Sequence, residues 1–269
     1  MAHSRKVSAL VLSRRSVGEA DRLVTFFTAE MGLLRVLAKG VRKIPSRRGG
    51  HLEPLTQVTA VVSGGPGRYF LTAAETRDYF RALHRSERAL ASAGVLAWAA
   101  AQVLEYEAAY PAVFAVLKQA WQAAPFRSGQ SMLLEAVGLL VILRAAGLTP
   151  QLAACQRCGE RQPVEAVVLN ATRGGWQCLS CLPADAGIAG WRNAGASLTP
   201  RGLQCVRLAA AAPALAGEAV LWRWPARAGR LAVTADEGQQ VQAALRGYMQ
   251  QLAGVQKSVG VRGTYGIIS

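Results

Sequence analysis

Apolar and polar residues alternate from Val7 to Ser13, and Leu23 to Thr28 is dense in β-branched and aromatic side chains. A two-residue period sends successive side chains to opposite faces of a strand. Leu33 to Ala38, Val58 to Val62 and Arg68 to Thr72 have the same character. They are set apart by Met31-Gly32 and by the breaker Ser63-Gly64-Gly65-Pro66-Gly67. Five short strands within 80 residues predict a small closed barrel, and a five-stranded OB-type barrel is the economical form.

Past residue 80 the period changes. Ala, Leu, Glu and Gln dominate residues 81–150, and the apolar spacing becomes helical. Three or four packed helices are expected there, with Ser86 and Ser131 as N-caps, Pro111 and Pro125 as punctuation, and Gly147-Leu148-Thr149-Pro150 as the close. Residues 151–190 are loop-rich and carry four paired cysteines. Leu198 to Leu252 reads as helical again, interrupted by Pro213 and Pro225, with Asp236 to Gln251 its clearest helix. The tail after Gly260 has no strong pattern. The fold class expected is α+β: a barrel domain over 1–80, then a helical domain over 81–269 with the cysteine module, 151–190, inserted.

Composition narrows the class. Of 269 residues 51% are apolar, which excludes disorder, and 17% are charged, against about 25% in an average protein. The uncharged run from Ala89 to Leu104 is sixteen residues, below the roughly 18–20 that span a bilayer. Met132 to Leu143 is broken by Glu135. Both read as buried helices. Val7 to Leu12 is too short for a secretory core and runs into Arg14 and Arg15. The expected compartment is the cytoplasm.

The charge is lopsided. There are 31 Lys+Arg against 16 Asp+Glu, a net +15. Residues 1–80 hold +7 and 191–269 hold +6, while 81–150 hold only +2 and 151–190 are neutral. A basic globular chain fits a polyanionic partner, either nucleic acid or an anionic membrane face. The sharpest concentration is Arg35, Lys39, Arg42, Lys43, Arg47 and Arg48, six cations in fourteen residues without an acid among them. Arg35 and Lys39 lie four apart on a strand, hence on one face. Gly40, Pro45, Gly49 and Gly50 make the rest a loop that can track a phosphate backbone without reading bases. Arg14 and Arg15 extend this surface, and Arg223, Arg227 and Arg230 are further candidates. Phe26, Phe27, Tyr69 and Phe70 are aromatics able to stack on bases, of which at least half belong to the core because strand residues alternate faces. Trp222 and Trp224 flank Arg223 and fit core, interface or platform equally.

Cys155-Gln156-Arg157-Cys158 and Cys178-Leu179-Ser180-Cys181 form two C-x2-C knuckles with nineteen residues between them. This spacing lets four thiolates converge on one tetrahedral zinc ion, with Gly159 and Gly174-Gly175 supplying turns. An all-sulfur shell leaves no position for water, so the ion expected is structural. The segment is neutral before a four-thiolate centre adds about two negative charges, which suits a brace better than a phosphate-binding finger. Cys205 is unpaired and reads as a small core filler.

No glycine-rich phosphate loop and no helical His-Glu-x-x-His motif is present. Glu19 and Asp21 are the one nearby acidic pair of interest, and they read as a polar turn between strands. No nucleophile–base arrangement stands out. Two alternatives stay open on the residues alone: a nucleic-acid-processing enzyme such as a nuclease or glycosylase, and a basic peripheral membrane or interaction protein. Against the second, the cations sit on a strand and loop and not on an amphipathic helix.

Gly18-Glu19-Ala20-Asp21-Arg22-Leu23-Val24-Thr25-Phe26-Phe27-Thr28, then Gly32, then Val36-Leu37-Ala38-Lys39-Gly40-Val41-Arg42-Lys43 with Ser46-Arg47, resembles the start of the RecO family of DNA repair and recombination mediators. Glu53-Pro54-Leu55, Gly147-Leu148-Thr149-Pro150 ahead of Cys155 and Cys158, and Lys257-Ser258 fit the same pattern. The four-cysteine centre occurs in some members only, so the resemblance is to a zinc-bearing branch. It implies an N-terminal OB-fold and a helical body carrying the zinc module. It also implies binding of single- and double-stranded DNA, annealing of complementary strands, and help in replacing single-strand-binding protein (SSB) with recombinase, without enzymatic activity. The partners implied are RecR, RecF as a further candidate, and the acidic C-terminal tail of SSB, acting at the nucleoid.

Overall fold

The computed structural model describes residues 4–42, 49–122, 128–182, 197–211 and 234–258. The contacts divide the chain into two compact units, with the boundary between Phe126 and Arg127. That boundary lies well past the change in composition at residue 80.

The first unit is built on a closed five-stranded barrel of strands β1 (Ser4–Val17), β2 (Asp21–Thr28), β3 (Gly32–Ala38), β4 (Gln57–Gly65) and β5 (Arg68–Asp78). Their order around the barrel is β1-β2-β3-β5-β4, and β4 pairs back onto β1. All neighbours are antiparallel except β3 and β5. The interior is the alternating set the sequence marks: Val7, Ala9, Val11, Val24, Phe26, Leu34, Val36, Val58, Ala60, Val62, Tyr69 and Leu71. Leu52, wholly buried and just past a short 3-10 turn at Gly49–His51, joins the same core. The β2–β3 turn closes on Gly32, whose φ is +62°. A Cβ there would lie 1.8 Å from the Ala108 carbonyl oxygen, so both conformation and space demand glycine.

The outer wall is only partly covered. Leu10, Phe27 and Leu33 are register partners across β1, β2 and β3, and all three are fully buried. Helices cover them. The Ala-rich α1 (Glu87–Val103) packs on β1, and α2 (Pro111–Gln122) packs on β2, bringing the Phe114 ring 6.0 Å from Phe27. Ser86 caps α1 by accepting from the Ala89 N–H at 3.3 Å, and Pro111 opens α2, where a missing N–H costs nothing.

The second unit contains α3 (Ser128–Ala145), α4 (Pro200–Ala211) and α5 (Ala235–Ser258), which pack on one another. Ser131 therefore lies inside α3 and does not cap it; the helix starts three residues earlier. A small sheet in the order β7-β6-β8 stands within the cysteine module and beyond it: β6 is Val167–Asn170, β7 Gly175–Cys178 and β8 Ser197–Leu198. The loop-rich expectation for 151–190 missed this sheet, and Leu198 opens on a strand and not a helix. Glu135, which interrupts the apolar run of α3, is 1% exposed and is gripped by Arg246 of α5 at 2.5 and 2.7 Å, with Gln242 also donating to it. Among the described residues no helix is long and apolar enough to cross a membrane.

Candidate nucleic-acid face and metal centre

The cations singled out in the barrel fall into separate local groups. Arg14 forms an ion pair with Glu53, and Arg15, its neighbour on β1, is exposed. Arg42 donates a guanidinium N–H to the Gly18 carbonyl at 3.1 Å, and its own backbone N–H bonds the Ala20 carbonyl at 3.0 Å. The β1–β2 turn and the segment after β3 are thereby laced together. Asp21 serves the same junction by accepting from the Gly40 N–H at 2.8 Å, which accounts for the Glu19–Asp21 turn as structure. Arg22 completes this end of the barrel. Burial, then the neighbouring Arg14 and Arg42 cations, hold its guanidinium below its ordinary value, with Glu53 partly offsetting them. Sequence reading passed over Arg22 as a candidate, although it stands within the motif that resembles the family.

Arg35 and Lys39 lie on the outside of the barrel, with Lys39 one residue past the end of β3. Arg35 lies over the Tyr106 ring, 4.3 Å from its centre, and Lys39 lies 5.1 Å from the centre of Phe70. Arg68, which opens β5, approaches the same Phe70 ring at 5.7 Å. Of the four candidate aromatics, Phe26, Phe27 and Tyr69 are buried and Phe70 alone is half-exposed. Lys43, Arg47 and Arg48 lie outside the described residues, as do Trp222, Arg223, Trp224, Arg227 and Arg230.

The four cysteines of the two knuckles converge. Their sulfurs all lie within 4.8 Å of one another, and those of Cys158 and Cys178 are 3.9 Å apart. Four sulfurs about 2.3 Å from one ion sit nearly 4 Å apart in a tetrahedron, so this donor set fits a single thiophilic dication. The β-sheet builds the site. Cys178 ends β7 and pairs with Val167, and the Cys178 N–H points at the Cys155 sulfur at 3.5 Å. The first knuckle hangs from the same sheet through the Gln151 N–H to the Gly174 carbonyl and the Gln156 N–H to the Trp176 carbonyl, 2.8 and 2.9 Å. Gly175 is required where the two chains cross, since a Cβ would meet the Gln151 carbonyl oxygen at 2.6 Å. Burial pushes the Cys155 thiol up, but N–H donors from Cys158, Arg157 and Cys178 outweigh it and bring it down to about 6. Cys178 and Cys181 move the other way, through burial and crowding by neighbouring sulfur. Sulfurs this close resist ionising together without a cation between them.

The family described as Recombination protein O N terminal matches residues 1–80, the span that ends just past β5. Proteins named DNA repair protein RecO from Anaeromyxobacter sp. (strain K) and Anaeromyxobacter dehalogenans (strain 2CP-1 / ATCC BAA-258) are each 34% identical over 183 residues, covering 66% of this chain and 70% of theirs. The protein of that name from Roseiflexus sp. (strain RS-1) is 31% identical over 186 residues, 67% of this chain and 63% of its own. The chain belongs to the RecO family.

Membership makes this a DNA repair and recombination protein, with an OB-fold barrel at its N-terminus. Within this RecO chain the cysteine module has a tie that sequence reading missed. Arg207 of α4 donates to the carbonyls of Leu152, Ala153 and Arg161 at 2.7, 3.2 and 2.9 Å, and lies over the indole of Trp176. Trp176 itself donates to the Leu152 carbonyl at 3.1 Å. One arginine thus joins the helical bundle to both sides of the first knuckle. Arg157, inside that knuckle, donates to the Cys181 carbonyl and so ties the knuckles to each other. Cys205 is buried in α4, and burial raises its thiol above the ordinary value, in keeping with a packing role.

Proposed function

We propose that this RecO chain is a non-enzymatic recombination mediator. It binds single- and double-stranded DNA, anneals complementary strands and helps load recombinase onto SSB-coated single strands during gap and break repair. The observation that carries the reading is the cationic outer wall of the barrel on a chain of net +15, in a family of DNA repair proteins. Arg14, Arg15, Arg35, Lys39, Arg42, Lys43, Arg47 and Arg48 are the proposed phosphate contacts. Annealing requires two polyanions to be brought together. A cationic surface lowers their repulsion and releases bound counterions, after which the bases pair without any covalent step. The partners proposed are RecR, RecF as a further candidate, and the acidic SSB tail, all within the cytoplasm at the nucleoid.

The metal proposed at Cys155, Cys158, Cys178 and Cys181 is one structural zinc ion. Four sulfur ligands complete its shell, so it supplies folding energy to its module and no open position for chemistry. The decisive experiment is annealing of complementary labelled strands coated with SSB. The wild-type chain is expected to accelerate annealing without added nucleotide. A variant with Arg42, Lys43, Arg47 and Arg48 changed to alanine is expected to lose most of that acceleration. Cleavage of the strands in magnesium, or no effect on annealing, overturns the reading.

A further inference from the structure

Strand register divides the outer wall of the barrel into rows. The row Leu10, Phe27, Leu33 is buried under α1, α2 and the segment between them. A second row runs Arg15 on β1, Leu23 on β2, Leu37 on β3, Phe70 on β5 and Ser63 on β4, each the register partner of the next. Leu23, Leu37 and Phe70 are only half-buried, so this apolar stripe faces solvent. Phe70 must point outward because its neighbours Tyr69 and Leu71 belong to the barrel interior. No acidic residue stands in the row. Cations frame it instead: Arg15 at one end, Arg68 and Lys39 over the Phe70 ring, and Arg35 two residues before Leu37 on the same face of β3.

We infer that Phe70, flanked by Leu37 and Leu23, is a stacking platform for unpaired bases of a DNA strand whose phosphates are held by Lys39, Arg68 and Arg35. The inference rests on the DNA-binding reading above and adds to it the class of DNA the barrel face recognises and a residue that does so. The surface and a single strand are complementary. An apolar, flat-faced side chain ringed by cations matches a polymer whose flat apolar bases hang from an anionic backbone. Without DNA Lys39 and Arg68 lie against the Phe70 ring while Arg35 lies over Tyr106, and the attraction of the first two to the ring face shields it from water. When a strand arrives, phosphate is the stronger partner for ammonium and guanidinium, and the uncovered ring face takes a base. Duplex bases are already stacked on each other and cannot use the platform. It therefore favours single strands.

The test uses the full chain and two probes, fluorescein-labelled oligodeoxythymidylate and a labelled duplex of equal length. Phe70→Ala is expected to weaken single-strand binding about tenfold, leave its salt dependence unchanged, and alter duplex binding less than about twofold. Phe70→Trp places a reporter on the platform, and quenching beyond that of the wild-type chain, whose six tryptophans set the background, is expected with the oligodeoxythymidylate and not with the duplex. Phe70→Leu keeps apolar volume without a flat face and is expected to weaken single-strand binding nearly as much as alanine. Should the alanine variant fail to fold by thermal unfolding, the tryptophan quenching decides. Single-strand affinity in Phe70→Ala close to that of wild type, parallel loss of single-strand and duplex binding, or no quenching of Phe70→Trp beyond that of the wild-type chain at saturation each overturn the platform. Failure of the wild-type chain to bind either probe overturns the DNA-binding reading itself, a distinguishable result.

Discussion

Arg246 on α5 holds the carboxylate of Glu135 on α3 with two parallel N–H donors, 2.5 and 2.7 Å long, although that carboxylate is almost wholly shut off from water. A buried carboxylate is tolerated only when its charge and lone pairs are met. Arg246→Ala leaves Glu135 with Gln242 as its remaining side-chain donor. The variant is expected to lose about 3 kcal/mol of stability, read as a lower urea midpoint. Changing both residues together, Glu135→Met with Arg246→Met, is expected to recover most of the loss. A double variant as unstable as Arg246→Ala would show that the pair does more than compensate its own burial.

Metal analysis of the purified chain is expected to return one zinc per molecule. Cys155→Ser is expected to lose it and to melt about 5 °C lower or more, while single-strand DNA binding is retained. Loss of DNA binding in a folded, zinc-free variant would contradict a purely bracing ion. The thiols of Cys178 and Cys181 stand above their ordinary value and are protonated at neutral pH. Zinc uptake by the metal-free chain must displace those protons, so affinity is expected to rise with pH and uptake to acidify a weakly buffered solution. Zinc affinity unchanged between about pH 6 and 8 would argue against thiolate ligation.

Arg207→Lys keeps the charge and discards the fork. A lysine cannot reach the carbonyls of Leu152, Ala153 and Arg161 with one planar group or stack on Trp176 in the same way. The expected cost is about 1–3 kcal/mol, with faster zinc release to a chelator. An unaltered release rate would separate the clamp from the metal centre.

Salt dependence counts phosphate contacts. Binding to single strands is expected to fall by about 0.7 in log K per contacted phosphate for each tenfold rise in salt. Neutralising Arg42, Lys43, Arg47 and Arg48 together is expected to flatten that slope, measured by anisotropy across a salt series. An unchanged slope would remove all four from the interface.

The barrel was legible because its core is alternating: a one-residue slip of Val7, Ala9 and Val11 against Val58, Ala60 and Val62 would turn a whole apolar set out to solvent. The strand ends were not legible. β1 runs through the polar Ser13–Val17 and β5 through Thr76–Asp78, where hydrogen-bond ladders continue after the apolar signal has stopped. The sheet of the cysteine module escaped for the opposite reason. All four residues of β6 are buried, so Val167–Asn170 shows no alternation, and β8 is two residues long. The knuckle cysteines could be read from spacing alone, whereas Arg207 could not. It shares its helix with Arg201 and lies 31 positions from Trp176, and only the fold brings it to that indole. Phe70 was one of four equal candidates until burial removed the other three.

Strand β1 pairs with β2 along one edge and with β4 along the other, and Ser4 meets Ser63 where the cylinder shuts. During synthesis the opening strand emerges first, yet its second neighbour arrives only with Gln57–Gly65. Of the strand pairings in the barrel this one is the most distant in sequence, and loop entropy makes it a slow one. Until it happens, one hydrogen-bonding edge of β1 stands open to pairing with other nascent chains. A peptide matching β4 is therefore expected to bind the growing polypeptide and not the finished one.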